Sequence, residues 1–219
     1  MPMLPRRVLR LINRFNAAHP WDHNAFYHQW IMRQLPKRFG RALDVGSGSG
    51  DLARLLATRA DTTEGIDCDP AIVARAWELT DASAPVHFTV GDALTQTPPG
   101  PYDVITCVAT VHHLPFIDAL TNFRKHLAPG GTLVIVGLFR TQSRLDRMLD
   151  VVAIPLNLAM GWLKNNGHRP ATRPVSMTAT TRPAAMALPE IVHEAGQVLA
   201  GAQFRRRLFW RYSLVWRQR

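Results

Sequence analysis

Leu43-Asp-Val-Gly-Ser-Gly-Ser-Gly-Asp51 is the stretch whose reading decides the fold. An apolar run ending at Val45 meets three alternate glycines, Gly46, Gly48 and Gly50, and the helical spacing of Leu52, Leu55 and Leu56 begins at once. The pattern predicts strand, tight turn and helix. Glycine admits positive φ and lets a ligand lie against bare backbone, while the free N–H groups of the following helix favour an anionic group. A plain connection without a ligand is the other reading, but each glycine carries an entropic cost that a mere turn does not require. The dinucleotide fingerprint G-x-G-x-x-G would set its third glycine where Asp51 stands, so the spacing speaks against NAD.

A chain of 219 residues, 47% of them hydrophobic, can bury one good core, and a single domain over residues 1–219 is expected. No apolar run reaches the eighteen or so residues of a membrane span. The longest, Val151 to Leu163, is broken by Pro155, Asn157 and Gly161. The N-terminal Arg6, Arg7 and Arg10, set among Leu and Val, do not form a secretory signal. With two cysteines, Cys68 and Cys107, read as free thiols, the expected compartment is the cytoplasm. A net charge of +10 raises a nucleic-acid partner. The arginines are scattered with few aromatics between them, so an arginine-rich composition is the preferred account.

Around the glycine turn the chain reads as alternating strands and helices. Residues 5–17 form an amphipathic helix with Val8, Leu11, Ile12 and Phe15 on one face, which either docks on the domain or touches an anionic surface. A second helix is expected from Asp22 to Leu35, with Asn24, Tyr27 and His28 sharing a face. The strand Thr62 to Asp67 ends in an acid, and Asp69 caps the next helix with Pro70 at its first position. A carboxylate at Asp67 can bridge vicinal ribose hydroxyls, because it accepts two hydrogen bonds and has no donor to spare. That ribose belongs equally to NAD and to other adenosyl cofactors.

Val86 to Val90 is a third strand, running into Gly91-Asp92-Ala93, and Asp103 to Val108 a fourth. Ligands of open parallel sheets sit beyond the carboxyl ends of the strands, which puts Val108 to His113 in the cleft. The rings of His112 and His113 leave adjacent positions in different directions. One suits a general base, since its ordinary pKa of about 6.5 matches proton removal near neutrality, and structural hydrogen bonding is the alternative for either. No third ligand stands at metal spacing, so no metal is expected. A helix from Pro115 to His126, the turn Leu127-Ala-Pro-Gly-Gly131 and a strand from Thr132 to Leu138 complete five βα units and imply a parallel sheet between helices. Arg140 to Leu163 reads as helical in pieces, Asn165 to Arg182 as a polar loop, Leu188 to Leu199 as a helix, and Ala202 to Arg219 as a strand pair.

Asp44 with Gly46, Gly48 and Gly50 resembles the first motif of the class I S-adenosylmethionine-dependent methyltransferases. The acid in Gly91-Asp92-Ala93, the fourth strand followed by a His-His pair, and the Leu-x-Pro-Gly-Gly corner continue the resemblance in order, towards the members that act on small molecules. It implies a Rossmann-like, doubly wound α/β fold: a mostly parallel seven-stranded sheet with an antiparallel C-terminal hairpin and an N-terminal helical appendage. Residues 1–38 would form the cap, 39–138 the cofactor-binding core, 139–187 a substrate-side insertion, and 188–219 the last helix and strand pair.

The implied cofactor is S-adenosyl-L-methionine, leaving as S-adenosyl-L-homocysteine. Its expected contacts are Tyr27, Asp44, Gly46, Ser47, Gly48, Gly50, Asp67, Cys68, Asp92, Ala93 and Val108. A carboxylate at Asp92 can accept from the adenine amine while the Ala93 N–H donates to a ring nitrogen, and a turn-forming Gly-Asp pair is the other account. His112 and His113 are the substrate-side residues, with His113 the catalytic candidate. The expected acceptor is a small metabolite methylated on O, N or C, and the apolar stretch of the insertion suggests a lipophilic or aromatic one unless it is simply buried on the core. An RNA or other polyanion methyltransferase and a nicotinamide-dependent oxidoreductase are the alternatives. The Asn/Asp-Pro-Pro-aromatic loop of base-amine methylation is absent after the fourth strand.

Overall fold

The structure, a computed structural model, describes residues 5–168 and 182–219. Seven strands form one sheet in the order β3 (Val86–Val90), β2 (Ala60–Asp67), β1 (Phe39–Val45), β4 (Tyr102–Val108), β5 (Leu127–Leu138), β7 (Arg211–Arg217) and β6 (Gln203–Arg207). The first five are parallel, and β7 runs antiparallel to both β5 and β6. This is the sheet that the βα rhythm and the C-terminal alternation imply.

Strand periodicity of two divides the core between the two faces of the sheet. Leu43, Val45, Ile105 and Cys107 point to the side covered by α5 (Phe116–His126) and α7 (Leu188–Val198). Ala42, Val104, Val134 and Val136 point to the side covered by α2 (His28–Gln34) and α3 (Asp51–Ala57). A third cluster packs α4 (Pro70–Glu78) on β3 through Ile72, Val73, Ala76 and Phe88. Burial on both faces explains why β1 and β4 read as continuous apolar runs. Cys107 is buried, Cys68 is exposed, and neither is in a disulfide.

Three expectations need correction. The helix expected from Asp22 to Leu35 is instead a loop, a 3-10 turn at Ala25–Tyr27 and the short α2. Asp22 is the reason: its Oδ1 accepts from the N–H groups of Asn24 (2.7 Å) and Ala25 (3.1 Å), which tightens the backbone before an α-helix can begin. The Leu127–Gly131 corner lies within β5, since Tyr102 pairs with Leu127 while Val104 pairs with Thr132, so the extra residues bulge out of the ladder. The pieces expected between Arg140 and Leu163 are one helix, α6 (Arg144–Lys164), opened by a capping box in which Ser143 Oγ accepts from the Asp146 N–H and Asp146 Oδ2 from the Ser143 N–H. Pro155 is tolerated inside it on an exposed face. Most of the polar loop expected from Asn165 to Arg182 lies outside the described residues.

The N-terminal helix α1 (Arg6–Ala18) packs against α6 rather than on the sheet. Asn157 ties the two together with the chain between α1 and α2. Its Oδ1 accepts from Trp21 Nε1 (2.9 Å) and lies 2.6 Å from His23 Nε2, and its Nδ2 donates to Asn16 Oδ1 (3.1 Å). Among the described residues no helix is long and apolar enough to cross a membrane.

Candidate active site

The carboxyl ends of β1, β2 and β4 splay around a cleft of about 520 Å³. Gly46 (φ +71°), Gly48 (φ +52°) and Gly50 (φ +79°) lead from β1 into α3, all in the left-handed region that side chains avoid. They differ in surroundings. A Cβ on Gly46 would collide with the Thr110 side chain, whereas one on Gly48 would meet nothing within 4 Å and would project into open space. Gly50 does not line the cleft; it packs against Phe88 and starts α3.

Asp67 fastens the second strand to this turn. Its Oδ2 accepts from the Gly48 N–H (2.9 Å) and its Oδ1 from the Asp69 N–H (3.1 Å). Each oxygen keeps a second lone pair for a ligand hydroxyl. Asp69 caps α4 as its position predicts, accepting from Ala71 and Ile72. Asp92 does form the turn: its Oδ1 accepts from Leu94 (2.6 Å) and Thr95 (3.3 Å), while its Oδ2 accepts nothing from a described residue. Turn-building and ligand-holding are therefore compatible at this carboxylate.

Asp44 lies at the cleft floor, 3% exposed, where burial pushes its pKa up to about 7 against the hydrogen bond from Thr106 Oγ1 (2.7 Å); Asp67 and Asp51 raise it further. Ser47, Cys68, Ala93 and Val108 also line the cleft, as do Thr110, His113 and Leu114. Burial, with help from Arg182, lowers the His113 pKa, so the ring is neutral and able to accept a proton near neutrality. Among the described residues six aspartates face this space (Asp22, Asp44, Asp51, Asp67, Asp69 and Asp92), five of them besides the partly protonated Asp44, against one arginine, Arg182. The other described arginines and lysines do not line it. Such a field favours a cationic ligand and opposes a polyanion.

Besides Gly50, two further expected residues are not on this surface. Tyr27 is buried behind the cap, where its hydroxyl donates to the Leu208 carbonyl (2.6 Å) and burial pushes its pKa up to about 12. A phenol needs a partner when it leaves water, and the turn between β6 and β7 supplies one. His112 turns from the cleft, its ring 4.0 Å from that of His113, with its pKa pushed down to about 4, chiefly by burial and then by His113. Of the two residues that the resemblance implies for the N-terminal helix, Tyr27 and His28, it is His28 that lines the cleft, and the cap adds Asp22 and Asn24. Asp and Asn beside Pro20 are turn formers and carried that signal; Arg182 had none. Among the described residues no three His, Cys, Asp or Glu side chains are grouped to hold a metal ion.

Strand order, the antiparallel final pair and the glycine turn define the Rossmann-like fold of S-adenosylmethionine-dependent methyltransferases. A family model described as a methyltransferase domain matches residues 21–179, and the chain belongs to that family. It is 39% identical over 125 residues to trans-aconitate 2-methyltransferase from Streptomyces avermitilis, a match covering 53% of this chain and 46% of that protein. It is 28% identical over 200 residues to a ubiquinone biosynthesis O-methyltransferase from Pseudomonas fluorescens, covering 83% of this chain and 84% of that one. The N-methyltransferase NodS from Bradyrhizobium japonicum, solved with S-adenosyl-L-homocysteine, superimposes with a TM-score of 0.59 at 17% identity over 95% of this chain and 97% of its own. The co-substrate implied is S-adenosylmethionine, and the residues present fit it: the open space over Gly48, the spare lone pairs of Asp67 and the aspartate-lined cleft suit an adenosyl compound bearing a sulfonium.

Proposed function

We propose that this protein transfers the methyl group of S-adenosylmethionine to an O, N or C atom of a small lipophilic or aromatic metabolite. The observation that carries the reading is that one cleft is lined both by the Gly48 backbone, clamped to Asp67, and by a His113 whose pKa is lowered. Asp67 would hold the ribose and Asp92 with Ala93 the adenine, with Gly46, Ser47 and Gly48 against the amino-acid part and Cys68 and Val108 as apolar contacts. When bound, the co-substrate supplies an electrophilic methyl on a sulfonium whose departing thioether is neutral. No acid is needed for the leaving group, so the protein has to align the acceptor, exclude water and, at His113 Nδ1 or Nε2, take up an acceptor proton.

Two observations support a lipophilic acceptor. A largely apolar cavity of about 170 Å³ opens between α6 and the β6–β7 hairpin, lined by Phe139, Leu149, Ala153, Leu208 and Phe209 beside the Asp146–Arg206 ion pair and Arg207. It adjoins the cap, since Leu208 accepts the Tyr27 hydroxyl while Asn24 and His28 face the cleft. One of the relatives, moreover, is named for ubiquinone biosynthesis. A nucleic-acid acceptor is opposed by the acidic lining.

Calorimetry with S-adenosylhomocysteine and with NAD tests the reading, followed by the Asp67→Ala variant. Binding of the first alone is expected. Loss of charge-assisted hydrogen bonds in the variant should weaken it by about 2–3 kcal/mol, or roughly 30- to 150-fold. Equal affinity in the variant would remove Asp67 from the ribose site, and binding of NAD alone would overturn the assignment.

A further inference from the structure

The outer surface of the α1–α6 pair is a feature that the cleft does not use. Along α6, Met148, Val152, Pro155, Ala159 and Trp162 recur at intervals of four and three, and all are exposed. One helix face about 21 Å long is therefore apolar from end to end. Val151 and Leu163 widen it, and with Met148, Val152 and Trp162 they are between 52% and 68% exposed. On α1, Leu11 is 64% exposed and lies between Arg7 and Arg14 on one face, with Arg10 alongside. A stripe of this length against water marks a contact surface.

Charge selects the occupant. No acidic residue occurs in α1, and the exposed Arg7, Arg10 and Arg14 form a row of like charges at helical spacing, which destabilises a helix left alone in water. Lys164 closes the α6 end beside Trp162. The α6 sequence carries two acids, Asp146, which is buried in an ion pair with Arg206, and Asp150, against Arg144, Arg147 and Lys164, so the balance of the pair of helices stays basic. A second copy of this chain would bring the same basic border to the contact. An anionic bilayer surface instead supplies counter-charge to the arginines, an apolar layer for the stripe and an interfacial level suited to the Trp162 ring.

We propose that α1 and the outer face of α6 form a peripheral docking surface for anionic phospholipid bilayers. The helices lie in the plane of the headgroups without crossing the membrane. The surface is separate from the cofactor cleft, so the proposal stands or falls independently of the methyl-transfer reading.

The test is co-sedimentation of the full chain with vesicles of phosphatidylcholine mixed with phosphatidylglycerol, and with vesicles of phosphatidylcholine alone, across a salt series. Binding to the mixed vesicles is expected, weakening with salt. Val152→Glu/Trp162→Glu should abolish it, and Arg7→Glu/Arg10→Glu should reduce it at least about tenfold, as the per-charge attraction of an anionic leaflet implies. Unchanged S-adenosylhomocysteine affinity and thermal midpoint keep a folding defect from imitating either result. A milder pair, Val151→Ser/Val152→Ser, replaces the first double variant if that one fails to fold. The proposal is overturned if the wild type ignores the mixed vesicles, if it binds as well after both sets of changes, or if light scattering shows a dimer that the same apolar substitutions dissociate.

Discussion

Replacing Asp44 by Asn should make this protein more stable, and only above mildly acidic pH. The side chain is 3% exposed and accepts a hydrogen bond from Thr106 Oγ1. Burial moves its pKa from the ordinary 3.8 to about 7. Below about pH 4 the carboxyl is protonated both folded and unfolded, so it contributes nothing to the pH dependence. Between the two values the unfolded chain releases the proton while the folded one retains it. Stability then falls by about 1.4 kcal/mol per pH unit, and above about pH 7 the full penalty is on the order of 4 kcal/mol. An amide keeps an oxygen for Thr106 and has no charge to bury. Urea unfolding followed by tryptophan fluorescence, run on both proteins from about pH 4 to pH 8, should give a stability difference near zero at the acid end. The difference should rise to several kcal/mol in favour of Asp44→Asn. A difference that stays flat, or that turns towards the wild type as pH rises, would show Asp44 already ionised in the folded state and refute the argument from burial.

Gly46→Ala and Gly48→Ala should separate the two roles of the glycine turn. The first forces Thr110 aside and should cost at least about 2 kcal/mol in a denaturant melt, while the second costs about 1–2 kcal/mol of backbone strain but weakens S-adenosylhomocysteine binding in calorimetry. Asn157→Leu leaves the Trp21 indole N–H and His23 without their shared acceptor, and a loss of about 2–3 kcal/mol is expected by thermal or urea unfolding. His113→Ala should lower turnover in a methyl-transfer assay with little change in cofactor affinity. Because burial lowers the His113 pKa, wild-type turnover should hold below the ordinary histidine value of 6.5 and fall only as further acidification protonates the ring. Equal activity in the variant, or no acid limb that disappears with it, would make the ring structural.

The strands and the turn were legible because their signals are local. A run of β-branched and apolar residues buried on both faces, followed by glycines that must take positive φ, leaves one conformation open to residues 43–51, and the other parallel strands are marked by similar apolar runs. Asp67, Asp92 and His113 could be placed because a strand's carboxyl end is set by its own length. The cap departs from its apolar pattern for a reason equally physical. Asp22 spends its carboxylate on the backbone of Asn24 and Ala25, a choice between helix and turn that the pattern of apolar residues does not show.

From the sequence by itself come the parallel sheet, the glycine turn and the aspartates at the ends of β1 and β2, all settled by contacts within a few residues. Only the tertiary structure decided that Tyr27 turns to Leu208 while its chain neighbour His28 reaches the cleft, that Asn24 and Arg182 join it, and that α1 packs on α6, leaving one face of that helix exposed. Those outcomes depend on partners more than a hundred residues apart in the chain, and the apolar pattern of a helix does not tell which side another element will cover.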